Sequence, residues 1–220
     1  MLAVVAGACA LTPSATLPTE RMALRTELLS LLHPDRPHPL AGRAVELVRQ
    51  LELLQTVPAT PGFLTMLANG DWNLIGVQDT AECETPPTTE IPPPAVELLE
   101  VRQDLDFSTE TSTNIARFRV VKDDLIGELQ LNAIVAQNGA RADTLNYVTT
   151  GRQLKIKRAP SCPVPAMMEA LHAQLSHDFL SDEGVLLGLQ TTYLDETLRI
   201  TRCTTRELAS SCAVHTRVVS

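Results

Sequence analysis

Aromatic side chains are scarce. Phe, Trp and Tyr make up 3% of the 220 residues, and Trp72 is the single tryptophan, so any core must be built mainly from Leu, Val and Ile. Basic residues are in the minority too: 18 Lys and Arg against 26 Asp and Glu leave a formal net charge of −8. Such a surface repels nucleic acid and anionic lipid, which excludes both as the main partner. Any lipid contact is expected to be with neutral or galactose-like head groups or with acyl chains. The five cysteines (Cys9, Cys83, Cys162, Cys203 and Cys212) are odd in number and contain no C-x-x-C pair. Neither a zinc ribbon nor a disulfide framework is indicated. Cys203 and Cys212 flank a turn and could face each other on adjacent strands.

Long apolar runs are also missing. The best, residues 2–11, is ten residues long and too short to span a bilayer. It carries Ala8 and Ala10 in an A-x-A-like arrangement but no positive n-region, and residues 12–19 are hydroxyl-rich with no acid before Glu20. The segment reads equally as the start of an organelle transit peptide or as a disordered apolar N-terminus.

Catalytic motifs are absent: there is no G-x-S-x-G, no phosphate-cradling glycine loop and no H-E-x-x-H. His172 and His177 are five apart and turn away from each other on a helix, and His33 and His38 lie in a proline turn. Asp178, Asp182 and Glu183 lack the spacing of an EF-hand loop, and Asp123-Asp124 with Gly127 reads as hairpin chemistry. No catalytic residue, metal set or cofactor is expected.

What is present is a change of period. Thr19 can cap a helix with apolar positions Leu24, Leu28, Leu31 and Leu32, stopped by His33-Pro34-Asp35-Arg36-Pro37. Ala44, Leu47, Val48, Leu51 and Leu54 form the face of a second helix, ended by Pro58 and Pro61. From Trp72 onward the chain turns to short β-prone runs at 72–77, 96–107, 114–121, 127–135, 145–149, 154–156, 185–194, 198–201 and 213–218. Alternation is clearest at 128–133, where Leu129, Leu131 and Ala133 share one face and Glu128, Gln130 and Asn132 the other. Many short strands in succession suggest a sandwich or barrel. The proline-rich stretch 85–94 is a loop, and one helix at 166–180, with Met168, Leu171, Leu175 and Phe179 on a face, could lid or plug one end. The expected organisation is a possible targeting segment at 1–19, a helical prelude at 20–58 and a β domain at 59–220.

Three patterns carry most information. In Gly70-x-Trp72-x-Leu74 a glycine turn delivers the tryptophan to the start of a strand, where Arg199 or Arg202 could stack on it. Gln103, Asp106 and Asn114 interleave polar groups in a β-prone region. Tyr193-Leu194-Asp195-Glu196-x-Leu198-Arg199-Ile200-x-Arg202 turns between two strands, with an Asp195 ion pair to Arg199 or Arg202 as its plainest reading.

In this order and spacing, the three patterns resemble the plastid lipid-associated proteins, or fibrillins, over residues 24–218. The resemblance implies a lipocalin-like antiparallel β-barrel in a plastid, at plastoglobules or thylakoids. It implies binding or coating of isoprenoids, quinones, carotenoids or acyl lipids without catalysis. The family's final glycine-containing turn is replaced here by residues 203–211, which hold no glycine. Trp72, Leu129, Leu131, Tyr193 and Arg199 are the expected ligand-lining residues; Gly70, Gln103, Asp106, Asn114, Asp195 and Arg202 complete the structural motif. Two rivals remain. One is a small barrel enzyme, an isomerase or cyclase, with Tyr193, Asp195 and Arg199 converging in a cavity; the other is a globule coat acting through the amphipathic segment 22–54.

Overall fold

The computed structural model describes residues 16–33, 36–54, 57, 60, 62–78, 95–172, 174–175, 183–204 and 211–218. The apolar run 2–11, the proline-rich stretch 85–94, Cys9, Cys83, His177, Asp178, Phe179, Asp182 and the glycine-free segment 205–210 lie outside the described residues.

The first helix, α1 (Thr16–Leu31), starts three residues before the expected cap. Pro18 is compatible with this because the first turn of a helix has no use for its missing amide. A two-residue strand, β1 (His38–Pro39), follows the proline turn and leads to α2 (Arg43–Leu54). Ala44, Leu47, Val48 and Leu51 of α2 are buried as the periodicity predicts. A short helix the sequence reading missed, α3 (Phe63–Ala68), precedes the first long strand. At six residues it is too short for a helical period to show.

Eight further strands run in order: β2 (Gly70–Gln78), β3 (Val96–Asp106), β4 (Thr111–Val120), β5 (Leu125–Gln137), β6 (Thr144–Ile156), β7 (Leu186–Leu194), β8 (Leu198–Cys203) and β9 (Cys212–Arg217). Each is antiparallel to its neighbour, and β9 returns to pair with β2, so the sheet closes on itself as an eight-strand ring. Closure removes the free edges that a mostly β protein must otherwise protect. The runs expected at 145–149 and 154–156 are one strand, β6, kept continuous by a register shift opposite Asn132 and Ala133. A helix, α4 (Val164–His172), interrupts the strands after β6; it starts two residues before the expected segment 166–180, of which 176–180 lie outside the described residues.

Three apolar clusters result. One lies inside the ring and joins Leu98, Phe118, Leu129 and Leu131 to Met167 and Leu171 of α4 and to Leu175 beyond it. The helix therefore closes that end, as a lid or plug would. Gly127 makes room there, since a Cβ at this site would sit 2.3 Å from the Phe118 ring. The second inner cluster joins Trp72, Leu105, Val135, Tyr147 and Leu194 to Leu64 and Ala68 of α3 at the other end. The third lies outside, where Leu28, Leu47 and Leu51 cover Ile75, Tyr193, Ile200 and Val214. Leu28 of α1, Leu32 just after it and the buried face of α2 are thus spent on the ring's outer surface, whereas Leu31, expected on the same face of α1, is 51% exposed.

The ring is closed least completely between β2 and β3. Their ladder runs only from Gly70↔Leu105 to Asn73↔Arg102, after which β1 takes over beside Gly76 and Val77 of β2. The Leu40 amide donates to the Val77 carbonyl at 2.8 Å, and the Gln174 side chain donates to the Val96 carbonyl at 2.8 Å. A cleft of about 250 Å³ lies at this seam, lined by His38, Pro39, Val77, Leu98, Gln174 and Leu175.

Candidate ligand-binding interior

Trp72 is fully buried at the α3 end of the ring. Its Nε1 donates to the Ala68 carbonyl at 2.8 Å, which fixes the indole against the last turn of α3. The Arg199 guanidinium lies 5.0 Å from the ring centroid and that of Arg217 4.3 Å. Cation–π attraction strengthens when both groups are shielded from water. Arg217 also donates to the carbonyls of Leu67, Asn69 and Glu196, tying the end of α3 to the β7–β8 turn. Gly70 has φ +107°, and a Cβ there would lie 3.1 Å from Arg217 Nη1, so glycine serves both conformation and space. Arg199 stacks as the sequence suggested; Arg202 does not, and Arg217 was missed because an arginine near a strand end reads as solvated.

A belt of polar side chains crosses the interior next to this plug. Gln103, Ser112, Asn114, Thr149, Thr191, Arg199, Thr201 and His215 are all buried. Their register places them on the inward rows: Gln103 pairs with Asn114, Thr191 with Thr201, and Arg199 with His215. Arg199 donates to Gln103 Oε1 across the ring, a contact between residues 96 apart in sequence. Thr191 and Thr201 are 1% and 3% exposed, and among the described residues neither hydroxyl has a hydrogen-bond partner. A buried hydroxyl left in that condition costs about 1–3 kcal/mol. Leu129 and Leu131 lie in the adjoining apolar layer, on the same inward face as the alternation predicts.

The closing motif divides between the two faces of the sheet. A register shift between Thr191 and Tyr193 turns both Thr192 and Tyr193 outward, and Leu194 resumes the inward row opposite Arg199. Tyr193, expected in the cavity, is therefore packed under α1 and α2. Its hydroxyl donates to Asp195 Oδ2 at 2.8 Å; burial first, and then this bond, push its pKa upward. Asp195 pairs with neither Arg199 nor Arg202. It accepts from the Thr197 and Leu198 amides at 2.8 Å each and faces Arg25 of α1 at 3.4 Å. Burial works to raise its pKa, but the Thr197 amide, the Tyr193 hydroxyl, the Leu198 amide and Arg25 outweigh it and hold the carboxyl below its usual range. Arg202 instead forms a two-point bridge with Glu52 of α2 at 2.7 and 2.9 Å. The partner Glu52 was invisible in sequence because 150 residues separate the two.

Tyr193, Asp195 and Arg199 consequently do not converge: two face the helices and one faces the interior. Asp106 holds the β3–β4 turn, accepting from the Ser108 amide and hydroxyl at 2.9 and 2.6 Å. Those Ser108 bonds, with Thr109, keep its carboxyl low. Cys203 lies in an inner cluster and Cys212 in the outer one, so the two face opposite sides of the sheet and are not bonded to each other. Among the described residues no group of His, Cys, Asp or Glu has the arrangement of a metal site.

A ring of eight antiparallel strands, helix-capped at both ends and apolar on either side of a polar belt, defines the class of small closed β proteins whose interior is filled by side chains or one small ligand. The PAP_fibrillin family model matches residues 36–208, which is most of the chain and includes every one of the eight ring strands except β9. The chain belongs to the PAP/fibrillin family, the plastid lipid-associated proteins. No curated protein and no solved structure matches it closely.

Proposed function

We propose that this protein binds the apolar chain of a lipid inside the ring, at a plastoglobule or thylakoid surface, and that it acts as a carrier or coat without chemistry of its own. The observation that carries the reading is the inner apolar layer around Leu129, Leu131, Phe118 and Leu171, enclosed by strands and closed by a helix. Burial there would stabilise a chain by about 25 cal/mol per Å² removed from water. With 3% aromatics, the interior favours acyl or prenyl chains over planar carotenoid or quinone rings. Residues 59–220 are the binding domain, 20–58 the helical prelude and 1–19 a targeting segment.

Two observations favour this reading over its rivals. Tyr193 and Asp195 are turned away from the interior, which separates the only cluster proposed for catalysis. Leu28, Leu47 and Leu51 are already covered by the ring, which takes the centre of the prelude's apolar stripe away from a helical coat, while Met22, Leu31 and Leu53 stay exposed. The test is lipid extraction and mass spectrometry of the purified full chain, followed by titration of Trp72 emission with what co-purifies. A stoichiometric acyl or prenyl lipid that shifts the emission supports the carrier; turnover of that lipid, or its absence with no fluorescence response, overturns it.

A further inference from the structure

The net charge of −8, which counts against anionic lipid when averaged over the chain, conceals a local excess of the opposite sign. All three lysines, Lys122, Lys155 and Lys157, fall at one rim of the ring, the end that α4 closes. The β4–β5 turn meets the segment after β6 there: Arg158 donates to the Asp123 carbonyl, and the Ser161 amide donates to Asp123 Oδ2 at 2.6 Å. α4 begins three residues beyond Ser161, so the positive end of its dipole adds to the same field. Several of the nearby cations are neutralised by neighbours. Lys155 pairs with Glu128 at 2.9 Å, Arg117 with Glu100 at 3.4 Å and Arg119 with Asp124 at 3.6 Å. Lys122, Lys157 and Arg158 form no ion pair among the described residues, and all three are exposed. Bare aliphatic side chains stand beside them: Val121 is 53% exposed, Ile126 46% and Val164 41%. A groove of about 840 Å³ lies alongside, lined by Ile126, Leu154 and Ile156 together with Lys155, Lys157 and Arg158.

We infer that this rim, carried by Lys122, Lys157 and Arg158 with Val121, Ile126 and Val164, is the docking surface for a bilayer bearing anionic head groups. The inference rests on the proposed lipid surface and sets which face of the protein meets it. Exposed aliphatics ringed by cations suit the boundary between head groups and acyl chains, which takes both kinds of side chain at once. A nucleic-acid backbone would meet the charges and leave Val121, Ile126 and Val164 in water. Each cation near an anionic leaflet strengthens binding by about fivefold. At physiological salt, charges more than about 8 Å apart are largely screened, so the acidic remainder of the surface does not cancel the rim. Docked in this way, the ring turns its α4 end toward the bilayer.

The full chain is floated with vesicles of phosphatidylcholine alone and of phosphatidylcholine with an equal part of phosphatidylglycerol, at about 0.05 M and about 0.5 M salt. The anionic vesicles are expected to bind at least about tenfold more tightly at the lower salt and to lose most of that preference at the higher. The Lys122→Glu, Lys157→Glu double variant, checked for folding by circular dichroism, should lose the preference; neither lysine holds an ion pair among the described residues whose loss would disturb the fold. Arg49→Glu with Arg141→Glu makes the same change of net charge on α2 and on the β5–β6 turn, and should keep it. Equal loss in both double variants overturns the rim and leaves a net-charge effect. Binding to neutral vesicles as tight as to anionic ones also overturns it, while leaving a protein of lipid surfaces. Binding to neither overturns it as well, and the lipid that co-purifies then decides the interior reading on its own. Val121→Ser with Ile126→Ser should weaken binding to anionic vesicles at least about fivefold at either salt; unchanged binding overturns the part given to the aliphatic tips.

Discussion

Strands β7 and β8 show two faces built on different terms. On the outer face, under α1 and α2, the buried polar side chains of the closing motif have partners: Tyr193 and Arg25 meet Asp195, while Thr192 and Arg202 meet Glu52, although Arg25 Nε is left unbonded. On the inner face of the same strands, Thr191 and Thr201 carry hydroxyls with no partner among the described residues. A half-satisfied polar group is costly wherever it is buried, so a side with paired groups serves cohesion. The side that tolerates unpaired hydroxyls gives up part of that cohesion. The closing motif is thus two devices on one hairpin, one fastening the helical prelude and one facing the interior.

The comparison can be broken first on the outer face. Tyr193→Ala deletes a fully buried ring and the donor to Asp195, and should cost about 3–5 kcal/mol in urea unfolding. Lipid bound per folded molecule should change little, because the ring side chain lies on the helical side. Asp195→Asn should be milder, about 1–3 kcal/mol at neutral pH. Its sign with pH follows from the depressed pKa. The folded carboxyl ionises below the unfolded value, so its contribution is complete above about pH 4 and is lost as pH falls through the folded value. Urea midpoints of the natural protein and the variant should therefore converge on acidification; a constant gap would detach Asp195 from the acid response. The smallest effect concerns Cys212, whose thiol burial pushes up to about 12. It should resist alkylation at pH 8 until urea unfolds the chain, as mapped by peptide mass spectrometry, whereas partly exposed Cys162 should react in the native state.

Much of this architecture was legible before any coordinates. The alternation at 128–133 put Leu129 and Leu131 on the inward face, and the glycine before Trp72 pointed to a plug stacked by an arginine. What escaped had physical reasons. A uniform period of two from Leu187 through Leu189 and Thr191 puts Tyr193 inside, but one bulge at Thr192 reverses it, and a bulge has no fixed sequence signature. Cys203 and Cys212 part for another reason: Cys212 pairs with Arg202, which sets the two thiols one residue out of register. Partners such as Glu52 for Arg202, Arg25 for Asp195 and Gln103 for Arg199 depend on ring closure and on where the helices dock, neither of which local pattern encodes. The polar belt is written in the sequence as isolated threonines, a glutamine and a histidine that look like solvent-facing strand residues until closure turns them inward.

The incomplete ladder between β2 and β3 bears on exchange kinetics. The ten paired residues from Val96↔Val120 to Asp106↔Thr111 join β3 to β4, and β6–β7, β7–β8 and β8–β9 have five each; here the junction is a four-residue pairing, a two-residue strap and the side chain of Gln174. Local opening draws on the least bonded parts of a structure and needs less free energy than global unfolding. Backbone amides at this seam are therefore expected to exchange before those of the long β3–β4 and β5–β6 ladders.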